Sequence, residues 1–363
     1  VPVFACSGCD TELTTALTRV ALPVHAHQRY GNATRLPTLM ASGTFAVDPE
    51  PSGPPSRRWA EIDPREAAAR GVHAPVFALS YGDPGAIVVA PGDIHGTVLI
   101  PSKTSGYCCG LDGGDGPNLA CEVCDLPVAT RIDDCSYWQS AWLDPKAVRA
   151  LPTGAKAPPP TWDELLASGE STPPLEVIST WNGGLRLDHR WSWSPRWEAA
   201  AGRALAHLLA ASDGSAVIVP TGMAAEAFQR VLDALLPAAP PALRAAPAGP
   251  GLPNQDAEIL LVPEHPNTGT PWDGGDPTTV RVPLPFGIWR WLAFPRPDLP
   301  LLASGRLPDD VLRDDPAPPR PGRLFGPDWD VFHATLVRLP AVRLPWLRAI
   351  LDDIDTETRH RLF

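Results

Sequence analysis

The chain has 363 residues, 44% of them apolar and 20% charged, the balance of a folded protein with room for two domains rather than of a disordered one. Its net charge of −11 works against phosphate backbones, and thiolates around a metal would add to it, so no nucleic-acid partner is expected. No apolar run approaches the ~20 residues that span a bilayer, and the first residues lack a basic stretch followed by an apolar core; a cytoplasmic protein with no membrane partner is expected.

In chain order, Phe4-Ala5-Cys6-Ser7-Gly8-Cys9-Asp10 forms a first cysteine knuckle, and Leu119-Ala120-Cys121-Glu122-Val123-Cys124-Asp125 repeats its design. Between them the pattern is β. Residues 19–25 and 44–47 are short apolar runs, and 75–81, 86–90 and 97–100 read as a three-strand meander. Asp83-Pro84-Gly85 and Pro91-Gly92-Asp93 supply its turns, where Asp93 and the following His95 have a structural role. Residues 63–71 read as a helix with Asp63 as its cap and Pro64 in its first turn. After the second knuckle, Asp133 or Asp134 caps a helix over 135–142, which places the Cys135 sulfur near a helix N-terminus.

Prolines and glycines, 46 and 30 in number, gather around 49–55, 158–160, 237–253 and 295–321 and mark connections there. Residues 151–174 form a proline-rich linker with one helical island, 162–167. Beyond it a helix follows Ser194-Pro195, with Trp197, Ala201, Ala204, Leu205, Leu208 and Leu209 on one stripe. A strand at 216–219, a helix capped by Thr221, strands at 259–262 and 279–282 and a late helix at 346–351 complete the second half. The expected fold is α+β: a β-rich zinc-binding domain over 1–150, the linker, and a small α/β domain with a mainly parallel sheet over 175–363.

In a reducing compartment, seven cysteines are expected to be metal ligands or reactive thiols rather than disulfides. Cys109, Cys121, Cys124 and Cys135, with eleven, two and ten residues between them, suit a closed four-thiolate zinc site. Cys6, Cys9 and Cys108 with His25 or His27 would then complete a second. A competing allocation joins the two knuckles as a ribbon, with Cys6, Cys9, Cys121 and Cys124 on one ion and Cys108, Cys109 and Cys135 spare. Two zinc ions per chain favour the split and one favours the ribbon. Four thiolates leave no open position on the ion, so such a site stabilises rather than catalyses. The His-x-Glu of cytidine deaminases and the His-Glu-x-x-His of metalloproteases are both absent.

The leading function is therefore a zinc-stabilised scaffold or protein-interaction component with a protein partner. Its rival is an enzyme of hydrolase or transferase class, with a site at the strand ends near Thr221, Glu264 and His265. Cys135 is a poor nucleophile because Asp133 and Asp134 disfavour its thiolate. The thirteen tryptophans are assigned to packing, with a carbohydrate or aromatic-ligand surface as the alternative.

Four runs carry a resemblance: Cys-Ser-Gly-Cys-Asp-Thr-Glu-Leu-Thr from Cys6, Pro-Val-His-Ala-His-Gln-Arg-Tyr from Pro23, Gly-Leu-Asp-Gly-Gly-Asp-Gly-Pro-Asn-Leu-Ala-Cys from Gly110, and Ala-Thr-Arg-Ile-Asp-Asp-Cys-Ser from Ala129. With them the chain resembles, over most of its length, a group of uncharacterised actinobacterial proteins bearing zinc-ribbon-like knuckles. The resemblance implies a soluble bacterial protein and brings no activity, substrate or catalytic residue.

Overall fold

A computed structural model of the chain describes residues 1–30, 35–104, 106, 110–154, 158–176, 192–238, 241–295, 321 and 323–363. They form two compact units. The first comprises Val1–Glu66, Pro75–Pro159 and Pro266–Gly269, and the second Ala67–Ala74, Pro160–His265 and Thr270–Phe363.

The first unit is built from short strands: β1 (Pro2–Cys6), β2 (Thr18–Arg19), β3 (Thr44–Val47), β4 (Ser56–Arg58), β5 (Ala78–Ser80), β6 (Ile87–Val89), β7 (Thr97–Leu99), β8 (Leu119–Cys121), β9 (Pro127–Ile132), β10 (Ser140–Leu143) and β11 (Val148–Pro152). Seven of them make one sheet in the order β2-β3-β6-β10-β9-β8-β7, while β1 pairs with β11 and β4 with β5. Phe4, Leu13, Phe45, Val89, Leu119, Val128 and Leu143 bury their side chains in one core, and Cys6 and Cys121 lie in it with them.

Several expected elements change here. The runs at 75–81, 86–90 and 97–100 do contain β5, β6 and β7, but they form no meander. Instead β5 pairs with β4, β6 lies between β3 and β10, and β7 pairs with β8. Of residues 19–25 only Arg19 is in a strand, the end of β2, and the chain turns at 24–27. The helix at 135–142 is absent: residues 135 and 136 turn, Ser136 takes a φ of 70°, Tyr137 bridges Arg29, and the chain enters β10, which pairs with β6 and β9. Pairing to two neighbours outweighs the helical start signal of Asp133 and Asp134. By contrast, α1 (Pro64–Ala69) begins as read, with Asp63 Oδ1 accepting the Arg65 N–H at 2.7 Å.

The second unit opens with α2 (Trp162–Ser168), started by a capping box between Thr161 and Glu164 and stopped by Gly169 at φ 76°. The short pair β12 (Leu175–Glu176) and β13 (Ser192–Trp193) precedes α3 (Pro195–Ser212), the long helix predicted by its apolar stripe. Strands β14 (Val217–Ile218), β15 (Leu243–Pro247), β16 (Ile259–Glu264) and β17 (Val280–Pro285) form a four-stranded sheet in that order, with every neighbour parallel. The run Ile259 to Val262 is buried throughout, as a strand covered on both faces requires.

Between β14 and β15 lies α4 (Arg230–Leu235), entered through a π-helical turn, Ala225–Gln229. Thr221 is not its cap: it sits in a turn with Gly222, and the Gly222 carbonyl accepts the Glu226 N–H at 3.0 Å. Strand β15 falls inside the proline-rich 237–253 stretch assigned to a connection. Helices α5 (Phe286–Ala293), α6 (Trp329–Leu336), α7 (Pro345–Asp353) and α8 (Thr356–Leu362) follow, with α6 packed on α3 and α5 on β16 and β17.

Candidate metal centre

Each cysteine knuckle is the tip of a hairpin. Ala5 bridges Glu12 around the first, and Ala120 pairs with Pro127 around the second. The two backbones follow one plan. The Cys6 N–H donates to the Thr11 carbonyl and the Asp10 N–H to the Cys6 carbonyl. The Cys121 N–H likewise donates to Leu126, and the Asp125 N–H to Cys121. Closing so tight a turn forces the residue after the second cysteine into left-handed backbone. Asp10 and Asp125 stand there, at φ 64° and 59°.

The two tips face each other. Cys6 Sγ lies 3.5 Å from Cys124 Sγ, Cys9 Sγ lies 3.5 Å from Cys121 Sγ, and all four sulfurs lie within 4.8 Å of one another. A tetrahedral ion with metal–sulfur bonds of about 2.3 Å needs sulfurs about 3.8 Å apart, so this spacing suits a four-thiolate metal site. Cys6 and Cys121 are fully buried, Cys9 half-buried and Cys124 exposed, so the group sits at the edge of the core. The Gly8 N–H reaches Cys6 Sγ at 3.4 Å and the Thr11 hydroxyl lies 3.2 Å from Cys9 Sγ.

These neighbours divide the thiols electrostatically. The Thr11 hydroxyl, followed by its backbone N–H, lowers Cys9 to about 6. At Cys124 the Leu126 N–H favours the thiolate, but the thiols of Cys9, Cys6 and Cys121, together with burial, outweigh it and push Cys124 up to about 12. Without a cation, four crowded sulfurs cannot all ionise. A divalent ion removes that conflict and releases the remaining protons.

The arrangement is the ribbon allocation, and it overturns the grouping of Cys121 and Cys124 with Cys135. Strand β9 leaves the second knuckle and carries the chain about 20 Å at 3.3 Å per residue before Cys135 is reached. Cys135 is buried there, its N–H donating to Asp134 Oδ1 at 2.8 Å. Cys108 and Cys109 lie outside the described residues. Among those described, His25 and His27 are not part of the sulfur group. The His25 ring packs on Trp138 with centroids 4.4 Å apart, and His27 Nε2 donates to Asp48 Oδ2 at 3.0 Å. The described residues hold one such group of ligands, not two.

Sequence reasoning missed Thr11, whose place directly after Cys9-Asp10 was the available signal, and Arg149, whose Nε donates to Asp10 Oδ1 at 2.8 Å. Asp93 is structural as expected, accepting the Ser42 hydroxyl at 2.6 Å and the Gly43 N–H at 2.8 Å.

Of the rival residues of the second unit, Thr221 is exposed while Glu264 and His265 have side-chain partners. Glu264 pairs with Arg203, while His265 is buried, hydrogen-bonded through Nε2 to the Pro160 carbonyl at 2.7 Å and set against Trp162. No protein-family model, curated protein or solved structure matches the chain.

Proposed function

We propose that the four cysteines hold one structural zinc and that the protein serves as a zinc-stabilised scaffold or protein-interaction component. The convergence of Cys6, Cys9, Cys121 and Cys124 within 4.8 Å carries this reading. Zinc has no geometric preference of its own from d electrons and accepts the tetrahedral thiolate cage that the two hairpins offer. Four protein ligands leave no site for water or substrate, which argues for a stabilising role.

Exposed apolar side chains near the second knuckle support an interaction role: Val123 at its tip, and Val98 and Leu99 on β7, the edge strand paired to β8. An edge strand offers unpaired backbone groups to a partner's strand.

Metal analysis of purified protein tests the reading, with one zinc per chain as the expected result. Cys121→Ser combined with Cys124→Ser is expected to lose the ion and melt at lower temperature. Full zinc retention in that variant would overturn the assignment. A purified protein carrying iron, visible from its thiolate charge-transfer colour, would overturn the choice of zinc alone.

A further inference from the structure

The first unit contains a cleft of about 570 Å³, apart from the four cysteines, which do not line it. That volume is in the range of small-molecule sites. His27, Trp142, Asp83, Asp112 and Asp144 are among its walls, with Pro54 and Pro55 closing one side.

His27 is set up as a hydrogen-bond acceptor. Its Nε2 lies 3.0 Å from Asp48 Oδ2, and a carboxylate can only accept, so in the neutral ring the proton sits on Nε2 and Nδ1 keeps its lone pair. The Asp48 side chain is 1% exposed and is held from its other oxygen by the Glu50 N–H at 2.9 Å; the His27 ring is 53% exposed and rests on Trp142. Nδ1 makes no hydrogen bond among the described residues. Asp48 is thus a positioning residue, and His27 presents an oriented acceptor to the cleft.

The three aspartates add acceptors from separate chain segments. Asp83 Oδ1 takes the Lys146 ammonium at 2.7 Å, Asp112 Oδ1 the Gly114 N–H at 2.8 Å, and Asp144 Oδ1 the Lys146 N–H at 2.8 Å. Each keeps a second oxygen. Among the described lining residues the one permanent cation is Arg29, which lies over the Tyr137 ring, and the Lys146 ammonium balances Asp83, so Asp112 and Asp144 leave the walls with excess negative charge. Such walls repel anions. Acceptors spread around a perimeter call for a ligand whose donors are also spread, and apolar walls of tryptophan and proline call for one with C–H faces.

We propose that this cleft binds a neutral polyhydroxylated ring, a mono- or disaccharide, with His27 Nδ1 accepting one of its hydroxyl protons. An amine would concentrate its donors at one point and leave most of the acceptors unmet.

Saturation-transfer NMR and calorimetry with glucose, N-acetylglucosamine, maltose and cellobiose test this, with glucose 6-phosphate and benzylamine as contrasts. At least one of the four sugars is expected to bind saturably below about 10 mM, and glucose 6-phosphate at least about tenfold more weakly than that sugar. His27→Ala is expected to weaken the bound sugar by about tenfold or more. Asp112→Asn, which keeps the oxygen that takes the Gly114 N–H, is expected to weaken it less. Both variants should retain the parent's circular dichroism and metal content, so failure here is separate from failure of the zinc reading. The proposal is overturned if none of the four sugars saturates, if benzylamine or glucose 6-phosphate binds as tightly as any of them, or if His27→Ala binds like the parent.

Discussion

Asp10 and Asp125 occupy the sharpest points of the two knuckles, in a backbone region where an L side chain costs about 1–2 kcal/mol and glycine costs nothing. Aspartate is among the few residues tolerated there. Asp125→Gly should therefore leave the metal in place and change stability by less than about 1 kcal/mol in either direction, since relief of strain is offset by a freer unfolded chain. Asp125→Val, β-branched at the same φ, should cost about 2 kcal/mol or more, measured by the midpoint of urea unfolding. Cys6 is equally exacting for another reason. It is buried and lies within 4.8 Å of three other sulfurs, so if the four hold one ion, Cys6→Ser alone should remove most of it, and adding Cys9→Ser should cost little more.

Helix α3 shows how one element combines close packing with an awkward charge. A Cβ on Gly202 would stand 2.4 Å from the Asp328 carbonyl oxygen, so the backbone leading into α6 approaches α3 where no side chain intervenes. Gly202→Ala should cost about 1–3 kcal/mol by overpacking, although alanine is the better helix former. One turn earlier, burial pushes Glu198 up to about 8, with Arg323 opposing the shift and Asp328 adding to it. Between about pH 4.5 and 8 the folded protein thus keeps a proton that the unfolded chain has released, and stability falls as pH rises through that window. Glu198→Gln should abolish this slope. It should match the parent near pH 4.5 and exceed it near pH 8 by about 1–3 kcal/mol. Denaturant midpoints across that pH range check the sign.

The same helix was evident from its sequence because Trp197, Ala201, Ala204, Leu205 and Leu208 repeat with the period of a helix. The buried run of β16 was evident from its continuous apolar residues. Elements whose signal is only relational were not. Strands β10 and β11 are short, and each takes a partner far along the chain, β10 pairing with β6 and β11 with β1, as Cys6 opposite Val148 illustrates. The knuckles announced themselves through the repeated Ala-Cys-x-x-Cys-Asp, since that turn is local. Which knuckle faces which depends on the order of strands in the sheet, and spacing along the chain cannot encode that.

Considered as a whole, the first unit has an open sheet with its chain-distant cysteines as a clasp. Joining Cys9 to Cys121 closes a loop of over a hundred residues, and cross-linking a loop of that length is worth about 4–5 kcal/mol in a chain-entropy account. Stripping the metal with a chelator at neutral pH should therefore lower the unfolding free energy by several kcal/mol. The loss should appear in the β-rich signal of far-ultraviolet circular dichroism, and added zinc should restore it.

That separation also has a consequence during synthesis. At about 5–20 residues per second, Cys6 and Cys9 leave the ribosome roughly 5–20 s before Cys121 and Cys124 exist. For that interval the nascent chain carries a bidentate half-cage, too weak to retain an ion against cellular thiols and open to peroxide. A metal held by all four sulfurs can therefore load only after the second hairpin has been made.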